Sequence, residues 1–241
     1  MSQQGTLYLI PSALNEAGDC GLSPETVQLI LGLDCFVVEN VRSARRFLRR
    51  IGYRKNFDHI SLIPLDNDED FDAAMLTPCL MGALPRIGLL SEAGSPAVAD
   101  PGSALVRWAH EQGWRVIPLP GPSSIILALM ASGLNGQQFA FHGYLPVKSQ
   151  SRRQRLRELE RESGKSGQTQ IIMETPYRNQ ALMADLLDCL QPTTLLAVAA
   201  GLTRKEEYIC CKPVAAWKKH LPQLRGLPCL FLFQARRLGA R

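Results

Sequence analysis

The stretch "GLLSEAGSPAVADPG", residues 88–102, decides how this chain folds. An apolar run of strand length breaks into small residues, with two prolines, three glycines and the acids Glu92 and Asp100. Strand, permissive loop and helix in succession form the unit of a parallel sheet, whose ligands gather at the carboxyl ends of the strands. Ala93, Gly94 and Ser95 are small enough for a ligand to approach the backbone, and Glu92 offers a carboxylate to hydroxyls or positive charge. Asp100 and Pro101 read as the N-cap and first position of a helix that closes at Gly113.

The same alternation runs outward from this segment. "TLYLIP" (6–11), "CFVVE" (35–39), "ISLIPL" (60–65) and "WRVIPLP" (114–120) are short, apolar and rich in branched residues. Between them lie helical patterns: "ETVQLIL" behind Ser23 and Pro24, and "VRSARRFLRRIG", whose closing arginines suit a helix C-terminus. Buried strands alternating with helices predict an α/β fold with a largely parallel sheet. "PLPGPSS" (118–124) is the best place for a domain boundary, giving an N-terminal domain over 1–119 and a C-terminal domain over 120–241. The second domain opens with "SSIILALMASG" (123–133), apolar nearly all round and expected as a helix buried between layers or between subunits. Its remaining strands, "QFAFHGYLP", "TQIIMET", "TTLLAVAAG", "EEYICC" and "PCLFLFQA", cluster toward the end and predict a mixed sheet. Ser123 and Ser124 open the helix; one serves as cap and the other is available to a ligand.

A chain of 241 residues with 46% hydrophobic and 20% charged residues is ordinary for a globular protein. The N-terminus lacks the basic segment and long apolar run of a signal peptide, and no run approaches a membrane span. Seven scattered cysteines without CxxC, and four histidines without ligand spacing, argue against a disulfide framework and against a metal site. These features favour the cytoplasm. The net charge of +5 is unevenly spread. "RSARRFLRR" (42–50) and the basic helix within 148–161 could attract a polyanion such as RNA, or could simply be solvated faces. GxGxxG, GxxxxGK[ST] and GxSxG are all missing, which removes the signatures of dinucleotide binding, P-loop and esterase chemistry. His142 and the Cys210–Cys211 pair read as structural residues.

Taken in order, "GTLYLIP", "GLLSEAGSPAVADPG", "VIPLPGPSS", "FHGYLPVKSQSRR", "METPYR" and "LTRKEE" resemble the tetrapyrrole methylase superfamily. The resemblance covers essentially the whole chain and is nearest to the branch of ribosomal RNA small-subunit 2′-O-methyltransferases. It implies two α/β domains of the tetrapyrrole methylase type, S-adenosylmethionine held in the cleft between them, and a homodimer. By position it implies cofactor contacts from Pro11, Glu92, Ala93, Gly94, Ser95, Val98, Ser123, Ser124 and Glu174. Where that branch carries A-E-D-T-R after the second strand, this chain has "VENVR", keeping Glu39 and Arg42 but placing Asn40 at the aspartate. The loop after the first strand, "PSALNEAGDCGLSP", keeps Pro11 and replaces a glycine–asparagine core.

Methylation of a ribose hydroxyl needs a base for its proton. Glu39, ending a strand on the ligand side, is the candidate, with a strand-end carboxylate paired to Arg42 as the alternative. The expected function is therefore S-adenosylmethionine-dependent methylation of RNA. A methylase of a small, tetrapyrrole-like molecule and a non-catalytic RNA- or protein-binding member of the fold are the rivals.

Overall fold

The computed structural model describes residues 4–15, 20–82, 84–219 and 221–236. The chain divides into two compact units, Met1–Ser123 and Ser124–Arg241.

The first unit holds β1 (Thr6–Ile10), α1 (Pro24–Leu31), β2 (Cys35–Val38), α2 (Val41–Arg50), β3 (Ser61–Pro64), β4 (Arg86–Leu90), α3 (Ser103–Glu111) and β5 (Arg115–Pro118). The five strands are parallel throughout, in the order β3-β2-β4-β1-β5. Alternation along the strands divides the core. Leu7, Cys35, Val37, Ile87 and Leu89 face one cluster that includes Leu105 and Ala109 of α3. Ile10, Phe36, Val38 and Leu90 face the other, with Ile30 of α1 and Ala44, Phe47 and Leu48 of α2. Helices thus cover both faces, as a parallel sheet requires. Gly88 sits at the centre of β4, where a Cβ would stand 2.6 Å from Ile10 Cδ1 and 2.9 Å from Phe36 Cδ1; the bulk of its neighbours fills its place.

In the second unit, α4 (Ser124–Ser132), β6 (Phe139–Tyr144), α5 (Ser149–Ser166), β7 (Thr169–Glu174), α6 (Asn179–Cys189), β8 (Leu195–Ala200), β9 (Tyr208–Pro213), α7 (Val214–Trp217) and β10 (Cys229–Gln234) follow in order. The sheet order is β6-β7-β10-β8-β9. Only β6 and β7 pair in parallel; the other neighbours are antiparallel, so the sheet is mixed.

Three expectations need correction. The helix expected from Asp100 begins instead at Ser103 behind Gly102, and the side chain that caps it is distant in sequence. Asp68 accepts hydrogen bonds from the Gly102 and Ala104 N–H groups at 2.8 and 3.0 Å and from Ser103 Oγ at 2.7 Å. Burial raises the Asp68 pKa, but these donors outweigh it and hold the carboxyl below its ordinary range. The α4 helix, expected to be buried between layers or between subunits, is not enclosed between layers: within this chain it is covered on one face. Ile125, Ala128 and Leu129 pack in a cluster with Ile171, Ala197 and Leu230, while Ile126 is 45% and Met130 75% exposed. Finally, Cys35 at the start of β2 and Cys79 are joined in a disulfide, with Cα atoms 5.6 Å apart. A separation of 44 residues gives no spacing signal, and only the fold brings the two together.

Candidate active site

The carboxyl ends of β1, β4 and β5 lead into loops that lock together within the first unit. Ser12 and Gly94 exchange two backbone hydrogen bonds, Ser12 N–H to Gly94 O at 2.8 Å and Gly94 N–H to Ser12 O at 3.0 Å. Ser12 Oγ also donates to Ser91 O at 2.8 Å. Gly94 carries φ +81°, and a Cβ there would stand 3.3 Å from Leu14 Cδ2. From the third loop, Gly121 lies so close to Pro11 that a Cβ would overlap its ring, and Ser95 Oγ donates to Pro122 O at 3.5 Å. The small residues therefore let three loops meet, which the sequence alone suggested only for ligand approach. Ala97 and Ala99 add left-handed backbone at φ 61° and 66°, leaving Val98 46% exposed between them.

Three carboxylates gather beside this junction. Glu39 follows β2, its backbone N–H bonding Leu90 O at 3.0 Å. Its Oε2 accepts the Glu92 N–H at 2.8 Å. Glu92 Oε1 in turn accepts from Ser43 Oγ, in the first turn of α2, at 2.7 Å. Asn40 Oδ1 caps α2 through the Arg42 and Ser43 N–H groups at 2.9 and 3.1 Å. That role explains why asparagine serves there: the position is an N-cap. Glu39 makes no ion pair with Arg42 among the described residues, so the structural alternative for this carboxylate is not the pairing expected.

Asp100 is the third member, and its expected capping role passes to Asp68. Burial raises its pKa, the negative charges of Glu39 and Glu92 raise it further, and the nearby Ser91 hydroxyl pulls it back, leaving it at about 6. Ser91 Oγ is buried and makes no hydrogen bond of good geometry. A shielded carboxyl beside two others, with an unpartnered hydroxyl at its side, is the kind of arrangement found where a ligand completes the bonding. The sequence held one signal for Asp68, the acidic block 66–72, and none for Ser43 or Ser91.

The other expected residues fall as follows. Pro11 and Gly94 are buried, Glu92 and Ala93 exposed, and Ser95 half-buried, all in the loop junction of the first unit. Ser123 ends that unit and Ser124 begins α4. Glu174, at the end of β7 in the second unit, is 2% exposed. Its Oε1 accepts the Thr175 N–H at 2.8 Å and its Oε2 pairs with Arg178 at 2.7 Å, so both oxygens are engaged locally. Arg178 also donates to Leu145 O at 3.0 Å, tying the turn after β7 to the end of β6. Among the described residues no group of His, Cys, Asp and Glu could hold a metal, and no helix is long and apolar enough to cross a membrane.

Small residues that expose backbone, carboxylates for hydroxyls and cationic groups, and an orphaned buried hydroxyl together fit S-adenosylmethionine, whose sulfonium and ammonium are positive and whose ribose is a donor. Comparisons with known proteins agree. The profile of the tetrapyrrole (corrin/porphyrin) methylases matches residues 18–215. The ribosomal RNA small subunit methyltransferase I of Vibrio cholerae serotype O1 is 33% identical over 209 residues, 87% of this chain and 69% of that protein. Its namesake from Escherichia coli O157:H7 is 32% identical over 221 residues, 90% and 73% of the two chains. The crystal structure of the methyltransferase CobJ superposes with a TM-score of 0.61 at 19% identity, covering 99% of this chain and 98% of the other, and so shares the fold. The chain belongs to the tetrapyrrole (corrin/porphyrin) methylase family, and it is an S-adenosylmethionine-dependent methyltransferase.

Proposed function

We propose that this enzyme methylates RNA at a ribose 2′-hydroxyl, as the names and coverage of its relatives suggest for the RNA part. The observation that carries the reading is the Glu39–Glu92–Asp100 cluster at the ends of β2 and β4, beside a junction built from small residues. In this reading Pro11, Ala93, Gly94, Ser95 and Val98 form the floor for the cofactor, with Ser123 and Ser124 contributing further contacts. Glu92 meets its hydroxyls or positive charge. When bound, S-adenosylmethionine supplies a methyl group made electrophilic by the sulfonium.

Glu39 is the base. Its Oε2 is held by the Glu92 N–H, while Oε1 makes no hydrogen bond among the described residues and is free to receive the acceptor's proton. The Ser43–Glu92 bond fixes the segment that orients it. Asp100 sits close enough to feel the Glu39 charge. The chain's own contribution is thus orientation and electrostatic preorganisation, the main levers in an in-line displacement. We further infer a homodimer working in the cytoplasm; the exposed Ile126 and Met130 of α4 support self-association.

The test is transfer of labelled methyl from S-adenosylmethionine to small ribosomal subunits, followed by alkaline hydrolysis. Label in an alkali-resistant dinucleotide identifies a 2′-O-methyl group. Glu39→Gln should reduce transfer by at least about a hundredfold while cofactor affinity by calorimetry stays within error. Cofactor binding without transfer to RNA would remove RNA as the acceptor, and unchanged turnover in Glu39→Gln would remove Glu39 as the base.

A further inference from the structure

The two basic segments read from the sequence differ sharply in the structure. In α5 three of the five arginines are paired with carboxylates. Arg152 is buried and pairs with Asp185, Arg153 reaches Asp185 and Asp188 at 3.9 and 3.5 Å, and Arg155 reaches Glu158 and Glu162 at 3.2 and 3.4 Å. The helix also carries Glu160, whose carboxylate binds Gln191 N–H and Thr194 Oγ1. Arg152 and Arg153 thereby hold α5 against α6, while Arg155 is neutralised within the helix.

Helix α2 is the opposite case. Its ten residues, "VRSARRFLRR", hold five arginines and no acid. Ala44, Phe47 and Leu48 point into the core, whereas Arg42, Arg45, Arg46, Arg49 and Arg50 are exposed. Their spacing of i, i+3, i+4, i+7 and i+8 places them on one face. Among the described residues no carboxylate pairs with Arg42, Arg45, Arg49 or Arg50. Packing, rather than charge, holds the stripe in place. Arg45 and Arg49 lie over the Phe57 ring at 5.4 and 4.2 Å from its centroid. Arg49 donates to Tyr53 O at 2.7 Å and Lys55 O at 3.1 Å, and Arg50 to Asn15 O at 2.8 Å. Like charges along one short helix repel one another, and among the described residues Arg42, Arg45, Arg49 and Arg50 meet no compensating acid. An external anion would compensate them.

The stripe also has a direction. Its Arg42 end belongs to the turn that begins at the Asn40 cap, one residue after Glu39, and grips Glu92 through Ser43. From there the arginines run about 12 Å along the helix, room for roughly two or three consecutive phosphates.

We infer that the arginine face of α2, and not α5, is the surface that binds the phosphodiester backbone of the RNA acceptor. The phosphates flanking the reacting nucleotide lie along α2, with the one nearest its ribose at Arg42. This inference rests on the RNA reading above and adds to it a surface and a polarity.

The experiment is fluorescence anisotropy of a labelled single-stranded RNA 20-mer with the full chain, titrated at several KCl concentrations. For single strands each lost phosphate contact reduces the slope of log K against log[KCl] by about 0.7. Arg42→Gln/Arg45→Gln should therefore flatten the slope by about 1.4 with S-adenosylmethionine affinity unchanged, which also reports that the variant is folded. Arg153→Gln/Arg155→Gln in α5 should leave the slope as in the wild type. A steep wild-type slope that survives the α2 changes, or falls equally with the α5 changes, overturns the assignment and leaves the RNA reading standing. A wild-type protein that binds the cofactor but shows no salt-dependent RNA binding overturns both.

Discussion

Asp100 shows how a residue's local sequence can mislead. "ADPG" has the pattern of a cap followed by a first-turn proline, yet Gly102, at φ 134°, turns the chain so that the helix starts later and Asp68 does the capping. Freed from that task, Asp100 is half-buried near Glu39 and Glu92, and burial first and their charge second push its pKa up to about 6. The sign of the consequence follows from linkage. Folded Asp100 holds its proton to higher pH than the unfolded chain does, so between the ordinary aspartate value and about 6 the native state binds more protons. The stability attached to this group is then greatest in acid and declines as pH rises through that window. Asp100→Asn, which keeps the shape of the protonated form, should raise the melting temperature at pH 8 and leave it nearly unchanged at pH 4. An equal shift at both values, measured by thermal unfolding, would mean that Asp100 is not under this electrostatic pressure. The Glu39 and Glu92 positions were legible from their places at strand ends; their mutual contact was not, because it depends on how β2 and β4 sit side by side.

Among the elements, the strands were the most readable part of this sequence. Each is a short apolar run, buried in the central strands and half-exposed at the sheet edges, and that pattern survives translation into three dimensions with bounds moved by a residue or two. Helix α4 was read correctly as apolar, and one chain covers only one of its faces, since hydrophobicity all round says nothing about whether the chain itself or a second copy covers it. The loops were read as ligand floors, and their glycines also let the loops pack against one another. Gly121 and Gly113 make the distinction testable. At Gly121 a Cβ would lie 2.2 Å from Pro11 Cγ and 2.6 Å from Pro11 Cβ, both parts of a rigid ring. Gly121→Ala must therefore separate the loop after β5 from the loop after β1, costing about 1–3 kcal/mol and weakening cofactor binding. At Gly113 a Cβ would meet open space, and only the left-handed φ of 69° opposes it. Gly113→Ala should lower stability by about 1 kcal/mol with cofactor affinity intact. Urea unfolding and calorimetry on the two variants separate the effects; equal cofactor affinity in both would show that the loop junction is not part of the cofactor's floor.

At the scale of the whole molecule, order along the chain carried the family assignment, because six separated motifs in one sequence constrain a fold more than any single motif does. What escaped was every feature that depends on pairing distant residues, and the Cys35–Cys79 disulfide is the plainest case. Scattered cysteines argued for a reducing compartment, whereas a closed disulfide is a feature of oxidising ones. The two facts meet in a measurement. The structure leaves five described cysteines free, Cys20, Cys189, Cys210, Cys211 and Cys229, out of seven in the chain. Protein alkylated at the moment of lysis, then denatured without reductant, should carry five modified thiols and two more after reduction. The bond joins residues 44 apart, so its loss releases a loop of that size in the unfolded chain. Reduction should then lower unfolding stability by about 2–4 kcal/mol, with the shift absent in Cys35→Ser/Cys79→Ser. Seven thiols labelled before reduction would show that Cys35 and Cys79 are reduced neighbours in the cell, where both remain buried against β2 and serve the core as small apolar side chains.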